Sequence, residues 1–298
     1  MIDPTVRRKI SEMLKEDLGS GDVTSRATVD EGARGVGKIV VKDKGVLAGI
    51  PEAAEVFRQV GVKFRELKKD GARIRAGETV AVVEGPARGI LSGERVALNL
   101  LMRMSGIATA TRNLVELARR KNKNVKIAAT RKTAPLLTYF DKRAVVVGGG
   151  IPHRWTLSDH VLIKDNHLKF SGSITVAVQR AKTAFPHLKI EVEVKSASEA
   201  LEAARAGAHM IMCDNMSPRE IKRAVHELTL EGLRSRVILE ASGGIDPSNV
   251  SQFAATGVDL ISSGYITMRA PALDMSLEIT RVFWVLPRSS DPEVAAIS

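Results

Sequence analysis

The chain has 298 residues, 44% of them hydrophobic and 27% charged, which suits one large globular domain or two ordinary ones and excludes extensive disorder. A single cysteine excludes an internal disulfide, and a formal charge of +11 favours polyanions or phosphorylated small molecules as ligands. Aromatic residues at 4%, a start "MIDPTVRRKISEML" without the apolar core of a secretion signal, and no apolar run near the roughly 18 residues of a membrane span lead us to expect a cytoplasmic chain that binds neither membrane nor nucleic acid.

The opening "PTVRRKISEMLKEDLGSGDVTS" reads as an amphipathic helix stopped by Gly19 and Gly21. The stretches "GKIVVKDKGVLAGI" and "ETVAVVEGPARGI" read as short strands with glycine turns, and "PEAAEVFRQVG" between them reads as a helix. Together these form an α+β module. In "SGERVALNLLMRMSGIATATRNLVELARR", Ser92 is placed to cap a helix beginning near Gly93. Arg95, Asn99 and Arg103 follow at four-residue intervals and share one face of it. Such a cationic stripe on an apolar helix should face a ligand, a partner or another subunit. The basic run "RRKNKNVK" reads as a helix end and a solvated loop.

The character of the chain changes near residue 105. From residue 126, short apolar segments alternate with helical ones: "KIAAT", "HVLI", "KIEVEV", "HMIMC", "RVILEA" and "VDLIS" as strands, and "SASEALEAARAGA", "SPREIKRAVHEL" and "DPSNVSQFAATG" as helices. Strand–helix alternation of this kind gives a parallel sheet with crossover helices. Six strands are legible, so the expectation is an α/β fold: an α+β N-terminal domain over residues 1–105, then an open or irregular TIM-like barrel over residues 106–274.

In such barrels the chemistry sits at the carboxyl ends of the strands. Here those ends carry Arg131, Lys132, Lys164, Glu193 or Lys195, Asp214, Ser242 and Ser263. With Arg154 and His153 they make a cationic cluster that would repel itself unless its ligand carried several negative charges. Glu193 and Asp214 could hold Mg²⁺, bind sugar hydroxyls or stabilise a developing positive centre. The turns "ASGGI" and "SSGYI" stand where barrels commonly bind phosphate, and "GGG" at Gly148–Gly150 could let backbone approach a ligand closely. His153, His160 and His167 are spaced by seven, without the close zinc pattern, so hydrogen-bonding roles are expected for His160 and His167. Cys213 reads as a packed small hydrophobe. The rim suits an anionic sugar-phosphate donor and an anionic acceptor.

The segments "EDLGSGDVTS", "ATRKTAP", "GGGIPHRWTLSDHVLIKDNHL", "EVEV", "CDNMSP", "EASGGI" and "ISSGYIT" resemble the quinolinate phosphoribosyltransferase family over nearly the whole length. The resemblance implies phosphoribosyl transfer from phosphoribosyl pyrophosphate to quinolinate with decarboxylation, in NAD biosynthesis and with Mg²⁺. It implies that Arg131, Lys132, His153 and Arg154, with Thr130, form the quinolinate pocket. It gives Lys132 and Lys164 to donor phosphates and substrate, and Glu193 and Asp214 to the ribose or its metal. Lys132, Lys164, Glu193 and Asp214 are thus the expected catalytic residues. Ser242, Gly243, Gly244, Ser263 and Gly264 would hold the 5′-phosphate. Arg95 would enter a neighbouring subunit's site, which requires a homodimer, alone or within a larger assembly, and residues 275–298 would pack back on the first domain. Leu136-Leu137-Thr138, Val146 and Pro152 depart from the family's usual Gly-Leu-Arg, arginine and asparagine. "PHR" also resembles a paralogous group linked to molybdenum transport, whereas "LIKDNH" argues for the quinolinate enzyme.

Overall fold

The structure, a computed structural model, describes residues 2–284. Two compact units make up the chain, residues 2–105 with 272–284, and Gly106–Pro271. Among the described residues no helix is long and apolar enough to cross a membrane.

In the first unit, α1 (Pro4–Leu18) begins where the Asp3 carboxylate accepts the Thr5 amide at 2.7 Å, and it ends on Gly19 at φ +52°. Its Val6, Ile10 and Leu14 recur every four residues and are buried. There follow α2 (Val23–Thr28), β1 (Ala33–Val41), β2 (Gly45–Val46), α3 (Ile50–Gln59), β3 (Lys63–Glu66), β4 (Arg73–Ile74) and β5 (Thr79–Pro86). The strand reading of "ETVAVVEGPARGI" is corrected at its end: β5 stops at Pro86, and α4 (Ala87–Arg119) starts at once rather than near Gly93. Proline lacks the amide a further strand bond would need and fits directly ahead of a helix. Gly89 then lies within the helix because a Cβ there would stand 2.5 Å from the Val60 carbonyl oxygen. Arg95 and Asn99 are exposed on α4, and Arg103 is half-buried.

The second unit contains β6 (Lys126–Ala128), α5 (Thr138–Val147), β7 (Val161–Ile163), α6 (Asp165–Ser171), α7 (Ile174–Ala184), β8 (Ile190–Val194), α8 (Ala197–Ala206), β9 (Met210–Asp214), α9 (Pro218–Leu230), β10 (Ile238–Ser242), α10 (Val250–Ala254), β11 (Leu260–Ser262) and α11 (Tyr265–Met268). The last strand, β12 (Met275–Trp284), belongs to the first unit and pairs antiparallel with β1, from Met275 opposite Val41 to Trp284 opposite Ala33. Residues 285–298 of the expected returning segment lie outside the described residues. The first unit's main sheet runs β12-β1-β5-β3, and β2 pairs with β4.

The second unit's sheet is parallel, in the order β6-β11-β10-β9-β8-β7. Its strands read as continuous apolar runs because both faces are covered: Ile211, Cys213, Leu239, Ala241 and Ile261 are fully buried. β6 and β7 are the two edges, so the sheet curls like a barrel but stays open between them. Beside β6, Ile151 makes an isolated parallel bridge to Ala128. The helices start on local caps. Ser173, Ser196 and Ser217 each accept the amide three residues on, from Val176, Glu199 and Glu220.

Gly148 and Gly150 serve packing rather than approach to a ligand, contrary to the expectation above. A Cβ at Gly148 would lie 2.6 Å from both the Ala108 carbonyl oxygen and Thr111 Cβ, and one at Gly150 would lie 2.8 Å from Thr111 Cγ2. The chain here passes against the last turns of α4 with no room for a side chain. Gly148→Ala should therefore cost about 1–3 kcal/mol of stability through overpacking, read as a lowered urea midpoint with an unaltered slope. A midpoint equal to that of the parent would show that the contact yields freely.

Candidate active site

The carboxyl ends of the second unit's strands surround a cavity of about 460 Å³. Thr130, Arg131 and Lys132 enter it from the loop after β6, and His153 and Arg154 from the loop before β7. Lys164 follows β7, Glu193 ends β8, and Asp214 and Ser242 end β9 and β10. Parallel strands in register bring these ends together: Ser242 stands opposite Asp214, and Glu193 opposite Met212, two residues before Asp214. The Lys164-Asp165 pair that follows the apolar run "VLI" divides its labour. Lys164 Nζ turns inward to Glu193 Oε1 at 2.6 Å, while Asp165 starts α6 and pairs outward with Lys195 at 3.3 Å. Lys195, the alternative to Glu193 at the end of β8, is thereby held outside the mouth.

Beneath the cavity lies a buried cluster. His153 Nε2 is 3.1 Å from Glu240 Oε2 and 3.6 Å from Glu191 Oε2, and His160 Nε2 is 2.8 Å from Glu191 Oε2. Both glutamates have no exposed surface. Burial opposes the charged form of His153, but Glu191 and Glu240 outweigh it and raise its pKa to about 9. Burial likewise opposes the Glu191 carboxylate, and the two histidines overcome it, holding its pKa at about 2. Glu240 is displaced the other way, upward, by burial and by the negative charge of Glu191. Two acids this close do not ionise with equal ease, and Glu191, bonded to His160 and 3.6 Å from His153, keeps the charge. The pKa of Arg154 is lowered, first by burial and then by the Arg131 charge.

A lysine completes the support. Lys142, on α5, is fully buried, and its Nζ donates to the carbonyls of Pro152 at 2.6 Å and Arg154 at 2.5 Å. Burial pushes its pKa down to about 8. His153, between those two carbonyls, sits at φ +53°, as Asn215 does at +54° after β9 and Leu136 at +66° before α5. This is a region a β-carbon disfavours. Leu136 is the position where the resembled family usually has glycine, and the φ explains that usage.

The glycine turns are arranged as follows. Gly243 and Gly244 follow β10 at φ +105° and +60°, and a Cβ at Gly243 would meet Asn215 Oδ1 at 2.3 Å. Gly264 lies under the aliphatic stem of Lys132, whose Cδ would be 3.1 Å from a Cβ there. Ser263 is buried, its hydroxyl donating to the Ile245 carbonyl at 2.6 Å and accepting the Tyr265 amide at 3.2 Å, so its side chain organises the turn. The neighbouring Ser262 instead lines the cavity and bonds Ser242 Oγ at 3.0 Å. Arg95 belongs to the first unit and is not among the lining residues.

Ser262, Asn215, Glu240 and Lys142 are not among the candidate site residues that the sequence offers. Glu240 in "RVILEA" carried a signal, a lone acid inside an apolar strand, whereas Lys142 in "FDKRAV" looks like any surface lysine. His160 and His167 make hydrogen bonds, the latter accepting the Lys164 amide at 2.9 Å. Cys213 is buried and its pKa is raised by burial to about 12, so the thiol is inert. A second cavity of about 580 Å³ opens at the amino ends of the strands, with Lys126, Lys189 and Met210 among its lining. It reaches the backs of His153 and Arg154 but holds neither Glu193 nor Asp214, which line the cavity at the carboxyl ends.

Comparison with known proteins assigns the chain to a family. The sequence model "Quinolinate phosphoribosyl transferase, C-terminal domain" matches residues 107–278, and that of the N-terminal domain matches residues 22–105. A probable nicotinate-nucleotide pyrophosphorylase [carboxylating] of Methanothermobacter thermautotrophicus is 46% identical over 271 residues, covering 91% of this chain and 97% of that protein. The nicotinate-nucleotide pyrophosphorylase [carboxylating] of Rattus norvegicus is 41% identical over 89% of this chain and 88% of its own length. The crystal structure of nicotinate-nucleotide pyrophosphorylase from Ehrlichia chaffeensis superposes with a TM-score of 0.86 at 38% identity, covering 94% of this chain and 99% of that one. Both domain models and these relatives span both units, and the chain belongs to the quinolinate phosphoribosyl transferase family.

Proposed function

We infer that this chain transfers a phosphoribosyl group from phosphoribosyl pyrophosphate to quinolinate and releases CO₂, giving nicotinate mononucleotide and pyrophosphate for NAD biosynthesis. One observation carries the reading: Arg131, Lys132, Arg154 and Lys164 line one cavity together with Glu193 and Asp214. The cations demand a multiply charged anion, and a pyridine dicarboxylate and a phosphorylated sugar both supply it. The three relatives named above are pyrophosphorylases, and none is a molybdenum-associated protein.

The ring nitrogen of quinolinate attacks the anomeric carbon as the bond to the pyrophosphate oxygen breaks. Positive charge gathers on the ribose, where the Glu193 and Asp214 carboxylates stabilise it. The nitrogen becomes a pyridinium, which accepts the electron pair left when the bond to the 2-carboxylate breaks. CO₂ departs and a proton takes its place on the ring carbon. Arg131, Arg154 and the His153 imidazolium bind the two carboxylates and hold the ring in position. Lys132 and Lys164 serve the phosphates and the substrate. Ser242, with the turns at Gly243-Gly244 and Ser263-Gly264, takes the 5′-phosphate, where glycine leaves the backbone unshielded by side chains.

The hard oxygens of Glu193 and Asp214, on adjacent strands, suit Mg²⁺. The buried group of His153, His160 and Glu191 brings its ligand-capable atoms within 4.8 Å of one another but offers two imidazole nitrogens, a donor set Mg²⁺ does not favour. Glu193 and Asp214 would hold the ion, which would neutralise pyrophosphate charge. Arg95, exposed on α4, completes the site of a neighbouring subunit in a homodimer.

Incubation with quinolinate, phosphoribosyl pyrophosphate and Mg²⁺ should yield nicotinate mononucleotide and one CO₂ per turnover, followed by chromatography and release of labelled carboxylate. Turnover of nicotinate with no CO₂ would instead assign a monocarboxylate acceptor. Arg131→Ala should lower kcat/KM for quinolinate by about 10²-fold, some 3 kcal/mol for a bound carboxylate that loses its cationic partner; parental activity would remove Arg131 from the pocket. An Arg95→Ala protein mixed with a Lys164→Ala protein should regain activity after subunit exchange, since some dimers then hold one intact site. Verified exchange without recovery would show that each chain builds its site alone.

A further inference from the structure

Lys142 is a charged side chain that reaches neither the cavity nor solvent. It has no exposed surface, and a buried ammonium is retained only against a substantial desolvation cost. Its two bonds run to the carbonyls on either side of His153, at Pro152 and Arg154. The Trp155 ring stands beside it, 5.7 Å from Nζ to the ring centre. The charges acting on it are Asp159, which favours the ammonium, and Arg131 and Arg154, which oppose it. Both hydrogen bonds of this ammonium are spent on one loop.

Drawing two carbonyls onto one ammonium curls the chain about the residue between them. That residue is His153, at φ +53°. A left-handed φ is uncommon for any residue with a β-carbon, although histidine tolerates it better than most, and the two carbonyl contacts favour it here. The curl has two consequences. The imidazole drops toward Glu240 and Glu191, and the Arg154 guanidinium is tucked in, with the residue 7% exposed and Nη1 3.5 Å from the His160 carbonyl. His153 and Arg154 come from this loop and not from a strand end: the sheet anchors the loop at Ile151, bridged to Ala128, and meets the His153 imidazole through Glu240, but the carbonyls on either side of His153 are held by Lys142. The contact uses only the backbone carbonyl of Pro152, which proline supplies as any residue does.

We propose that Lys142 is a positioning residue: by gripping the carbonyls of Pro152 and Arg154 it sets the His153 backbone and aims His153 and Arg154 at the carboxylates of the acceptor. The proposal rests on the quinolinate reading above and adds to it the device that fixes half of the acceptor pocket. Lys142 touches no substrate. Its loss acts on the acceptor and leaves the donor's site, built from strand ends and glycine turns, in place.

The test compares Lys142→Met with Lys142→Gln. The two side chains have the same length, and only glutamine restores a donor for the carbonyls. Lys142→Met should lose on the order of 10²-fold in kcat/KM for quinolinate through a raised KM, while KM for phosphoribosyl pyrophosphate moves by less than about threefold. Lys142→Gln should recover part of that loss. Trypsin should cut after Arg154 faster in Lys142→Met than in the parent, a readout that needs no substrate. A folded Lys142→Met with the parental quinolinate KM, a parallel rise in both KM values, or unchanged cleavage after Arg154 would each overturn the proposal. If Lys142→Met does not fold, Lys142→Gln is held to the same three outcomes. Parent protein that turns over no quinolinate would sink the functional reading instead, and the trypsin comparison would still decide whether Lys142 holds the loop.

Discussion

The second unit is organised around the mutual repulsion of its own cations. Arg131, Lys132, Arg154 and Lys164 face one cavity of about 460 Å³, and no packing term rewards putting them there. Surface lysines can swing apart into water, but Arg154 is buried and cannot. What makes the arrangement tolerable in the empty protein is the acid placed behind it. Glu193 takes one lysine directly, and Glu191 and Glu240 lie under His153 with no exposure. Those two carboxylates are the converse problem, buried acids of which the imidazoles bond one oxygen each, Oε2, so acids and cations stabilise one another in layers. A dianionic ligand then meets donors already held in place, and preorganisation of this kind lets fixed charges act at full strength during reaction.

The open parallel sheet is what makes such layering feasible. In register, its strands end side by side, so one polar or charged residue per strand suffices to line a rim: Glu193 on β8, Asp214 on β9 and Ser242 on β10. The acids below come from the same strands two positions earlier, Glu191 on β8 and Glu240 on β10. Glu191 and Glu193 point to the same side of β8 because side chains alternate, one deep and one at the lip. A β-strand can thus carry both the ligand-facing group and its counter-charge, provided the strand is short and its neighbours are apolar. The segment "IEVEV" is that device written as sequence.

Much of this is legible in the residues alone. The six strands, the caps on α8 and α9 and the charged strand ends all follow from local rules, because period-two and period-3.6 patterns and Ser-x-x-Glu starts act over a few residues. What local rules do not reach is nonlocal. α5 carries buried Asp141 and Lys142, which break the apolar stripe by which a helix is recognised, and the burial of Lys142 makes sense only once the loop from Pro152 to Arg154 folds over it. The triple glycine suggests freedom for a ligand, and Gly148 and Gly150 prove to mark lack of room against Thr111. Ser263 and Ser262 cannot be told apart by type; the end of β11 puts the latter's hydroxyl toward Ser242 and turns the former into its own loop.

The division between strand-borne and loop-borne groups also bears on how one scaffold accommodates two anionic substrates. Groups at strand ends are fixed by the hydrogen-bond ladder, and a sugar phosphate, common to every donor of its class, can be met by such an invariant frame. The acceptor is the variable element, and the residues assigned to it, His153 and Arg154, sit on a loop whose shape depends on a buried ammonium and a left-handed residue. Loops change more readily than sheets. A fold that carries part of its acceptor pocket on a clamped loop can change the acid it accepts by altering the loop and its clamp, without disturbing the strand-end carboxylates Glu193 and Asp214.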